Sequence, residues 1–285
     1  MVDILSIQSQ VTFGHVGNSA VTFPLQLLGH TVWPVPTAVL SNHGGYRENG
    51  GGVLPVETVR GLLNGLVPRG VPAACDLLLT GYLGSREVAD LIRDEVVRLR
   101  QANPHLRYCC DPVMGDRDTG LYVADGLGEF FRDIALASAD ILTPNAFELE
   151  QLTGMSGDDP VAAARHLLAK MRPGGCVLIT SFESPAVSEN HVAMAAVNAH
   201  SAWMVRTPRF AFARAPHGAG DLAAALFSAH LTGMGDVPAA LEDCASRLHA
   251  IFACTAERAN SELALVDARV AFMTPRERFV ARRID

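Results

Sequence analysis

The residues with the clearest chemical potential are His217-Gly218-Ala219-Gly220-Asp221, which lead straight into the apolar run Leu222-Ala-Ala-Ala-Leu-Phe-Ser-Ala-His-Leu231. A helix beginning there presents unpaired backbone N–H groups and a partial positive charge. The two glycines let an anion sit close on those groups. An aspartate at the mouth of an anion site puts a base beside a phosphate, which is what moving a phosphoryl group onto a hydroxyl requires. Taken alone, the same residues also read as a loop and an N-cap, because Asp is a favoured capping residue.

Two further carboxylate motifs fit the same chemistry. In Asp111-Pro-Val-Met-Gly-Asp116, an Asp at a strand end can face a metal ion or a phosphate through water. It can equally make an Asp-Pro turn. In Thr143-Pro-Asn-Ala-Phe-Glu148, Asn145 and Glu148 have the N-cap-to-N3 spacing of a capping box. The functional alternative is that Glu148 holds a magnesium-bound water while Asn145 points at a phosphate oxygen. Mg²⁺ keeps several waters and takes one or two carboxylates, so a sparse Asp/Glu set suits it. The polar segment 115–122, Gly-Asp-Arg-Asp-Thr-Gly-Leu-Tyr, reads either as an exposed turn or as a lid over phosphates, with Arg117 offsetting their charge.

These residues need a scaffold, and short β-rich runs alternating with helical stretches supply one. Strands are predicted at 4–7, 31–40, 76–80, 107–111, 140–143 and 177–181, with an antiparallel pair at 192–197 and 202–207. Helices are predicted from the Gly-rich turn at 13–18 through residue 28, and at 56–66, 85–101, 222–231 and 237–259. Leu222, Ala225, Leu226 and Ala229 mark a packed face. Pro34 and Pro36 place the second strand at an edge or a bend, and 41–53 reads as a loop. Strands separated by helices imply βαβ units and a mostly parallel sheet. Ligands bind beyond the carboxyl ends of such strands, and the motifs follow residues 7, 80, 110 and 142. No Pro/Gly/Ser-rich linker divides the chain, so one domain over 1–285 is expected.

Composition narrows the classes. Hydrophobic residues make up 49% of the 285 and charged residues 19%, enough for a sizeable core and against disorder. Net charge is −7. Basic residues cluster only at 276–283, read as a solvated terminal helix, so nucleic acid is not an expected partner. No apolar run reaches membrane-spanning length. The six cysteines form no C-x-x-C. Cys109 and Cys110 alternate sides of a strand, and most of the six read as buried small hydrophobes. The chain opens Met-Val-Asp and enters a strand-like segment at once, so no signal peptide is predicted and a reducing cytoplasm is the expected compartment. Residues 4–46 hold no Asp, Glu, Lys or Arg. That fits two buried strands with a helix face, and also loops that line a pocket for a compact, near-neutral, polar molecule. A nucleotide-binding oxidoreductase would need Gly-x-Gly-x-x-Gly after the first strand and an acid ending the second; 10–18 lacks the triplet and Leu40 ends the second strand.

Asp111-Pro-Val-Met-Gly-Asp, Thr143-Pro-Asn-x-x-Glu148 and Gly218-x-Gly-Asp221 occur in the same order as in the ribokinase-like superfamily. Ser6-Ile-Gln-Ser9, Gly14-His-Val-Gly-Asn-Ser, Val32-Trp-Pro, Ser41-Asn-His43 and Thr80-Gly-Tyr-Leu-Gly-Ser85 resemble the pyridoxal kinases, the second bacterial type in particular. The resemblance runs from Ile4 to about Ala259. It implies a three-layer α/β/α sandwich and ATP-dependent phosphorylation of the 5′-hydroxyl of pyridoxal. It implies Asp221 as the base and the N–H groups of Gly218, Ala219, Gly220 and Asp221 as the anion hole. Asp111 and Glu148 would organise Mg²⁺, directly or through water, assisted by Asn145. Ser9, Val16, His43 and Tyr82 would line the vitamer pocket. Thr180 and Ser181 would lie near the ATP phosphates, Leu226 and 202–212 near the nucleotide, and the lid would include Tyr122. A homodimer is implied, and room is left for a monovalent cation. Two positions depart from the pattern. Ala219 stands where many relatives have Thr, which predicts slower chemistry, and Leu121 stands at the lid position where some carry a reactive cysteine. The lid itself looks more like the first bacterial type, which leaves preference among pyridoxal, pyridoxine, pyridoxamine and hydroxymethylpyrimidine open. The alternatives are a hydroxymethylpyrimidine kinase and a vitamer-binding or storage protein with weak catalysis.

Overall fold

A computed structural model of the protein describes residues 1–212 and 214–285. In chain order the strands are β1 (Asp3–Val11), β2 (Thr31–Leu40), β3 (Gly51–Val53), β4 (Leu77–Thr80), β5 (Arg107–Cys110), β6 (Gly115–Asp116), β7 (Gly120–Leu121), β8 (Ile141–Leu142), β9 (Cys176–Ile179), β10 (His191–Asn198), β11 (Ala202–Pro208) and β12 (Arg282–Arg283). β6 and β7 form a hairpin of their own; the others join one ten-stranded sheet in the order β12-β11-β10-β9-β8-β5-β4-β1-β2-β3. The six strands from β9 to β2 in that order run parallel. β10, β11 and β12 continue the sheet antiparallel at one edge, and β3 does so at the other.

The parallel strands are covered on both faces, so their short apolar runs are buried throughout, as in Leu77–Thr80 and Cys176–Ile179. The period of two still sorts the side chains. Leu78, Cys110, Leu142 and Val177 face one helical layer, while Leu77, Cys109, Ile141 and Leu178 face the other. The first layer holds helices Val56–Leu66, Arg86–Ala102, Ala146–Thr153 and Pro160–Leu168; the second holds Asn18–Leu27, Ala219–Met234 and Val237–Glu257. The result is the three-layer α/β/α sandwich. Each fully buried Leu of β4 contributes roughly 1.5–3 kcal/mol of transfer free energy. Cys109 and Cys110 fall on opposite faces as expected, and burial pushes the Cys110 thiol up to about 12. No helix among the described residues is long and apolar enough to cross a membrane.

Four expectations need correction. The first strand extends from residue 3 to 11, so Ser9 lies inside it, opposite a register shift in β2. Within 41–53, Gly51–Val53 is a strand, paired with Ala38–Leu40. Pro34 and Pro36, by contrast, lie as expected on an edge, in the part of β2 that has only β1 beside it. The tail 276–283 is not a helix. The last helix ends at Met273, and Arg282–Arg283 pair with Trp203 and Met204 of β11. Finally, the helix carrying Leu222 is buried on every side from Leu222 to Ala229, because it lies between the sheet, helix Asn18–Leu27 and helix Val237–Glu257. A single-stripe reading was too narrow for a helix enclosed in this way.

Candidate active site

The carboxyl ends of β1, β4, β5, β8 and β9 open on one cleft of about 1210 Å³. Ser9, Val16, His43, Tyr82, Asp111, Tyr122, Asn145, Glu148, Thr180, Ser181, Gly218, Ala219, Gly220 and Asp221 all line it. Leu226 does not; it is buried in the core at 2% exposure. Ala223, one turn earlier, reaches the cleft instead, together with Met194, Val205, Ala245, Leu248 and Phe252. Val205 falls within the 202–212 stretch expected near the nucleotide; the other residues of this apolar end come from a second strand and two helices that share no motif.

Helix Ala219–Met234 begins without a side-chain cap. Its N-cap is Gly218, at φ 87°, a conformation that only Gly adopts without strain. A side chain there would run into the His15 carbonyl oxygen. The cap residue therefore has no side chain to close the helix N-terminus, and residues 218–221 line the cleft. Asp221 sits at the third helical position, half-buried. Desolvation raises its pKa to about 6, against the opposing pull of the Gly17 N–H and its own backbone N–H. Gly17 is also at positive φ, 52°, and its Cα packs on Ser9 so closely that a Cβ would overlap the Ser9 carbonyl. The Gly-rich turn after β1 thus serves as a bracket, linking Ser9 on one side to the base on the other.

Across the cleft, Asp111 and Glu148 are 6% and 4% exposed. Glu148 accepts hydrogen bonds from the backbone N–H of Met114 at 2.9 Å and of Asn145 at 2.9 Å. Burial nonetheless raises its carboxyl to about 7, with the Asp221 charge adding to the effect. Asp111 accepts from Thr143 Oγ1 at 3.0 Å. Burial first, then the charges of Glu148 and Asp221, hold its carboxyl well above the ordinary range. Carboxylates crowded in this way lack a counter-charge, and a divalent cation with its waters would supply one. Among the described residues no group of three or more His, Cys, Asp or Glu side chains forms a metal cage. That donor set suits Mg²⁺, which keeps waters and binds phosphate oxygens, better than it suits a structural metal.

Two residues are committed elsewhere than expected. Asn145 completes a full capping box, its Oδ1 accepting from the Glu148 N–H at 2.8 Å, and its Nδ2 donates to the Gly115 carbonyl at 2.9 Å. Its amide thus ties the cleft-lining start of this helix to the base of the β6–β7 hairpin. Arg117, on that hairpin, pairs with Glu150 at 2.7 Å and Glu183 at 3.3 Å. Ser181 Oγ accepts from the Ala146 N–H at 2.9 Å, and the Thr180 N–H donates to the Pro144 carbonyl at 3.0 Å. Both therefore tie the β9 end to the start of helix Ala146–Thr153. Tyr122 has its side chain 49% exposed. Burial and the surrounding carboxylates push its phenol well above the ordinary value, so it remains a donor.

The chain has a full-length likeness to proteins of known activity. Pyridoxal kinase PdxY of Corynebacterium diphtheriae is 41% identical over 284 residues, covering 99% of this chain and 100% of its own length. Pyridoxal kinase PdxY of Granulibacter bethesdensis is 42% identical over 286 residues, covering 99% of each. The chain belongs to the pyridoxal kinase family. The family profile described as phosphomethylpyrimidine kinase matches residues 54–262. Pyridoxal kinase from Leishmania donovani, solved in complex with ADP and pyridoxine, superposes with a TM-score of 0.89 at 27% identity, covering 99% of each chain. Beside the cleft, one further carboxylate gathers several loops, and no motif announced it. Glu262, 14% exposed at its side chain, takes hydrogen bonds from the His15 N–H, His43 and Tyr46. Its nearest partner in the chain is more than 200 residues away, so no local pattern pointed to it.

Proposed function

We propose that this chain transfers the γ-phosphoryl group of ATP to the 5′-hydroxyl of pyridoxal, giving pyridoxal 5′-phosphate and ADP. The observation that carries the reading is Asp221, a base raised to about 6 on the first turn of a helix with an open, glycine-capped N-terminus. Near neutral pH its carboxylate is largely ionised yet basic enough to accept the hydroxyl proton as the new O–P bond forms. The bond from the γ-phosphorus to the bridging oxygen breaks, and ADP leaves. The N–H groups from Gly218 to Asp221 hold the charge that develops on the transferring group, which is usually the largest catalytic contribution. Asp111 and Glu148 would hold Mg²⁺, directly or through water, and the ion would neutralise phosphate charge. Ser9, Val16, His43 and Tyr82 would take the vitamer, the apolar slot of Met194, Val205, Leu248 and Phe252 the adenine, and Thr180 and Ser181 would border the phosphates.

We extend the reading to one domain over 1–285, a homodimer and a cytoplasmic location, with room for a monovalent cation. Light scattering and assays with and without K⁺ test the dimer and the cation. A second reading has its own support: the matching family profile is named for phosphomethylpyrimidine kinase, which makes hydroxymethylpyrimidine the rival acceptor.

The test is purified protein with ATP, Mg²⁺ and either pyridoxal or hydroxymethylpyrimidine, with Asp221→Asn alongside. We expect faster phosphorylation of pyridoxal, and a fall of about 10³-fold in kcat for the variant, within the range for loss of a general base. A clear preference for hydroxymethylpyrimidine overturns the substrate, and a variant as active as wild type overturns the base.

A further inference from the structure

Residues 4–46 carry no charged side chain, yet the loops of that segment converge on one. Glu262 Oε1 receives the Tyr46 hydroxyl at 2.6 Å and His43 Nε2 at 2.9 Å; its Oε2 receives the His15 N–H at 3.2 Å. Its carboxylate lies directly against the backbone of Gly14. His43 Nδ1 accepts from the Gly45 N–H at 3.1 Å. A nitrogen that accepts carries no proton, so the neutral ring is protonated at Nε2 and donates to Glu262. Both ring nitrogens are thereby taken, although His43 lines the cleft. The ring, 5% exposed, stacks on His217 at 4.3 Å and on Tyr46 at 4.8 Å. The Arg214 guanidinium lies 4.9 Å from the centre of the Tyr46 ring. One carboxylate thus joins the turn after β1, the loop after β2 and, through the ring stack, the residue that precedes Gly218.

The backbone that delivers Glu262 is itself unusual. Helix Val237–Glu257 ends at Arg258, and Ala259 follows at φ 50°. It is the one non-glycine residue at positive φ among those described. Strain of this kind persists where the surroundings over-determine it. Here it turns the chain so that Glu262 lies under the three loops.

We propose that Glu262 is a positioning residue for the vitamer end of the cleft, acting through His43 by fixing its ring as the Nε2-protonated tautomer in the cleft wall. This rests on the reading of the chain as a pyridoxal kinase. The specificity of the arrangement lies in its donors. The three groups that meet Glu262 all donate, and an ionised carboxylate is acceptor-only. Glutamine has the same shape but brings an NH₂ against one of those donors. Aspartate keeps the charge on a shorter stem.

The first measurement needs no substrate. In the free wild-type protein, ¹⁵N NMR of the His43 ring is expected to show a protonated Nε2 and a bare Nδ1; Glu262→Gln is expected to lose that signature. The second is kinetic, with pyridoxal and ATP varied separately. Glu262→Gln is expected to raise the KM for pyridoxal about tenfold, as loss of a charged hydrogen bond would, with the KM for ATP within about twofold. Glu262→Asp is expected to recover part of the loss. In a His43→Phe background the Glu262→Gln effect on the pyridoxal KM is expected to shrink to less than about twofold, since the two act as one unit. Equal rises in both KM values, or full additivity with His43→Phe, would show a scaffold role only and overturn the proposal. An Nδ1-protonated ring in the wild type overturns it as well. Should the protein not phosphorylate pyridoxal, the function reading fails, and the tautomer measurement still decides the clasp.

Discussion

Two helices start at this cleft with an acid at the same place, three residues past the cap, and they treat their N-terminal N–H groups in opposite ways. At Ala146–Thr153 the cap is Asn145, and Asn145 and Glu148 exchange side-chain-to-backbone hydrogen bonds, closing the terminus on itself. At Ala219–Met234 the cap is Gly218, with no side chain to offer, so the terminus stays open. Asp221 then turns to the N–H of Gly17, in a different loop. The closed helix end fixes a carboxylate in place. The open one leaves its dipole and its donors for an anion. The choice of Asn or Gly at one position thus separates a closed N-terminus from an open one, although the acid spacing is the same.

The sharpest way to break the comparison within the open helix is Gly218→Ala. A left-handed φ costs an L-residue about 1–2 kcal/mol, and the added carbon meets the His15 carbonyl, so the first turn must shift. We expect kcat/KM to fall about 100-fold, the scale of a lost oxyanion donor, with the far-UV spectrum unchanged. Wild-type kinetics in Gly218→Ala would mean that these N–H groups do not hold the transferring charge.

At the closed helix the comparison is sharpened by pH. The Glu148 carboxyl is raised from its ordinary 4.5 to about 7. A group raised on folding contributes stability that is full below its unfolded pKa and is lost as pH rises through the folded value. The melting temperature of wild type relative to Glu148→Gln should therefore be highest below about pH 4.5 and decline through about pH 7. Mg²⁺ with ADP should stabilise wild type more at pH 8 than at pH 5, and do so less in the variant. A pH-independent difference would show that burial does not hold this carboxyl up.

Asn145→Ala tests the cap alone. Loss of an N-cap costs about 1 kcal/mol, which for a chain of this size is a shift of roughly 2 °C in Tm. Activity should fall less than tenfold, since both ends of the amide are already engaged by the backbone of Glu148 and Gly115. A drop as large as that of Gly218→Ala would return Asn145 to the role of phosphate ligand.

The contrast also explains what was legible in the sequence. Gly-x-Gly-Asp, Asp111 and the Asn145–Glu148 box could be read because each is a contiguous pattern whose chemistry is local. The parallel sheet could be read because its strands alternate with helices along the chain, as βαβ units require. Glu262 could not: its partners His15, His43 and Tyr46 lie 247, 219 and 216 residues away. Gly17 was visible as a turn glycine, but its reach to Asp221 was not. β12 is only Arg282–Arg283, a pair whose extended form comes from the free edge of β11 and from no preference of its own. β3, Gly51–Val53, is likewise made by its neighbour β2.

The smallest effect lies at Ala219, the first residue of the open helix. The side chain at this position borders the cleft. In Ala219→Thr a hydroxyl would join the backbone N–H groups as one more donor to the transferring phosphoryl. Threonine is a poorer helix former than alanine by about 0.5 kcal/mol, and at the first position of a helix that penalty is not fully felt. We expect kcat to rise about threefold, equivalent to roughly 0.7 kcal/mol off the barrier, with the KM for pyridoxal unchanged because the vitamer end is not touched. An unchanged kcat would mean that the backbone donors already satisfy the phosphoryl group, so that the open terminus needs no side chain at all. A lower kcat would mean that the cleft at Ala219 is shaped to its methyl group. Either result still separates the two helices, since at the closed one a side chain is what makes the N-terminus work.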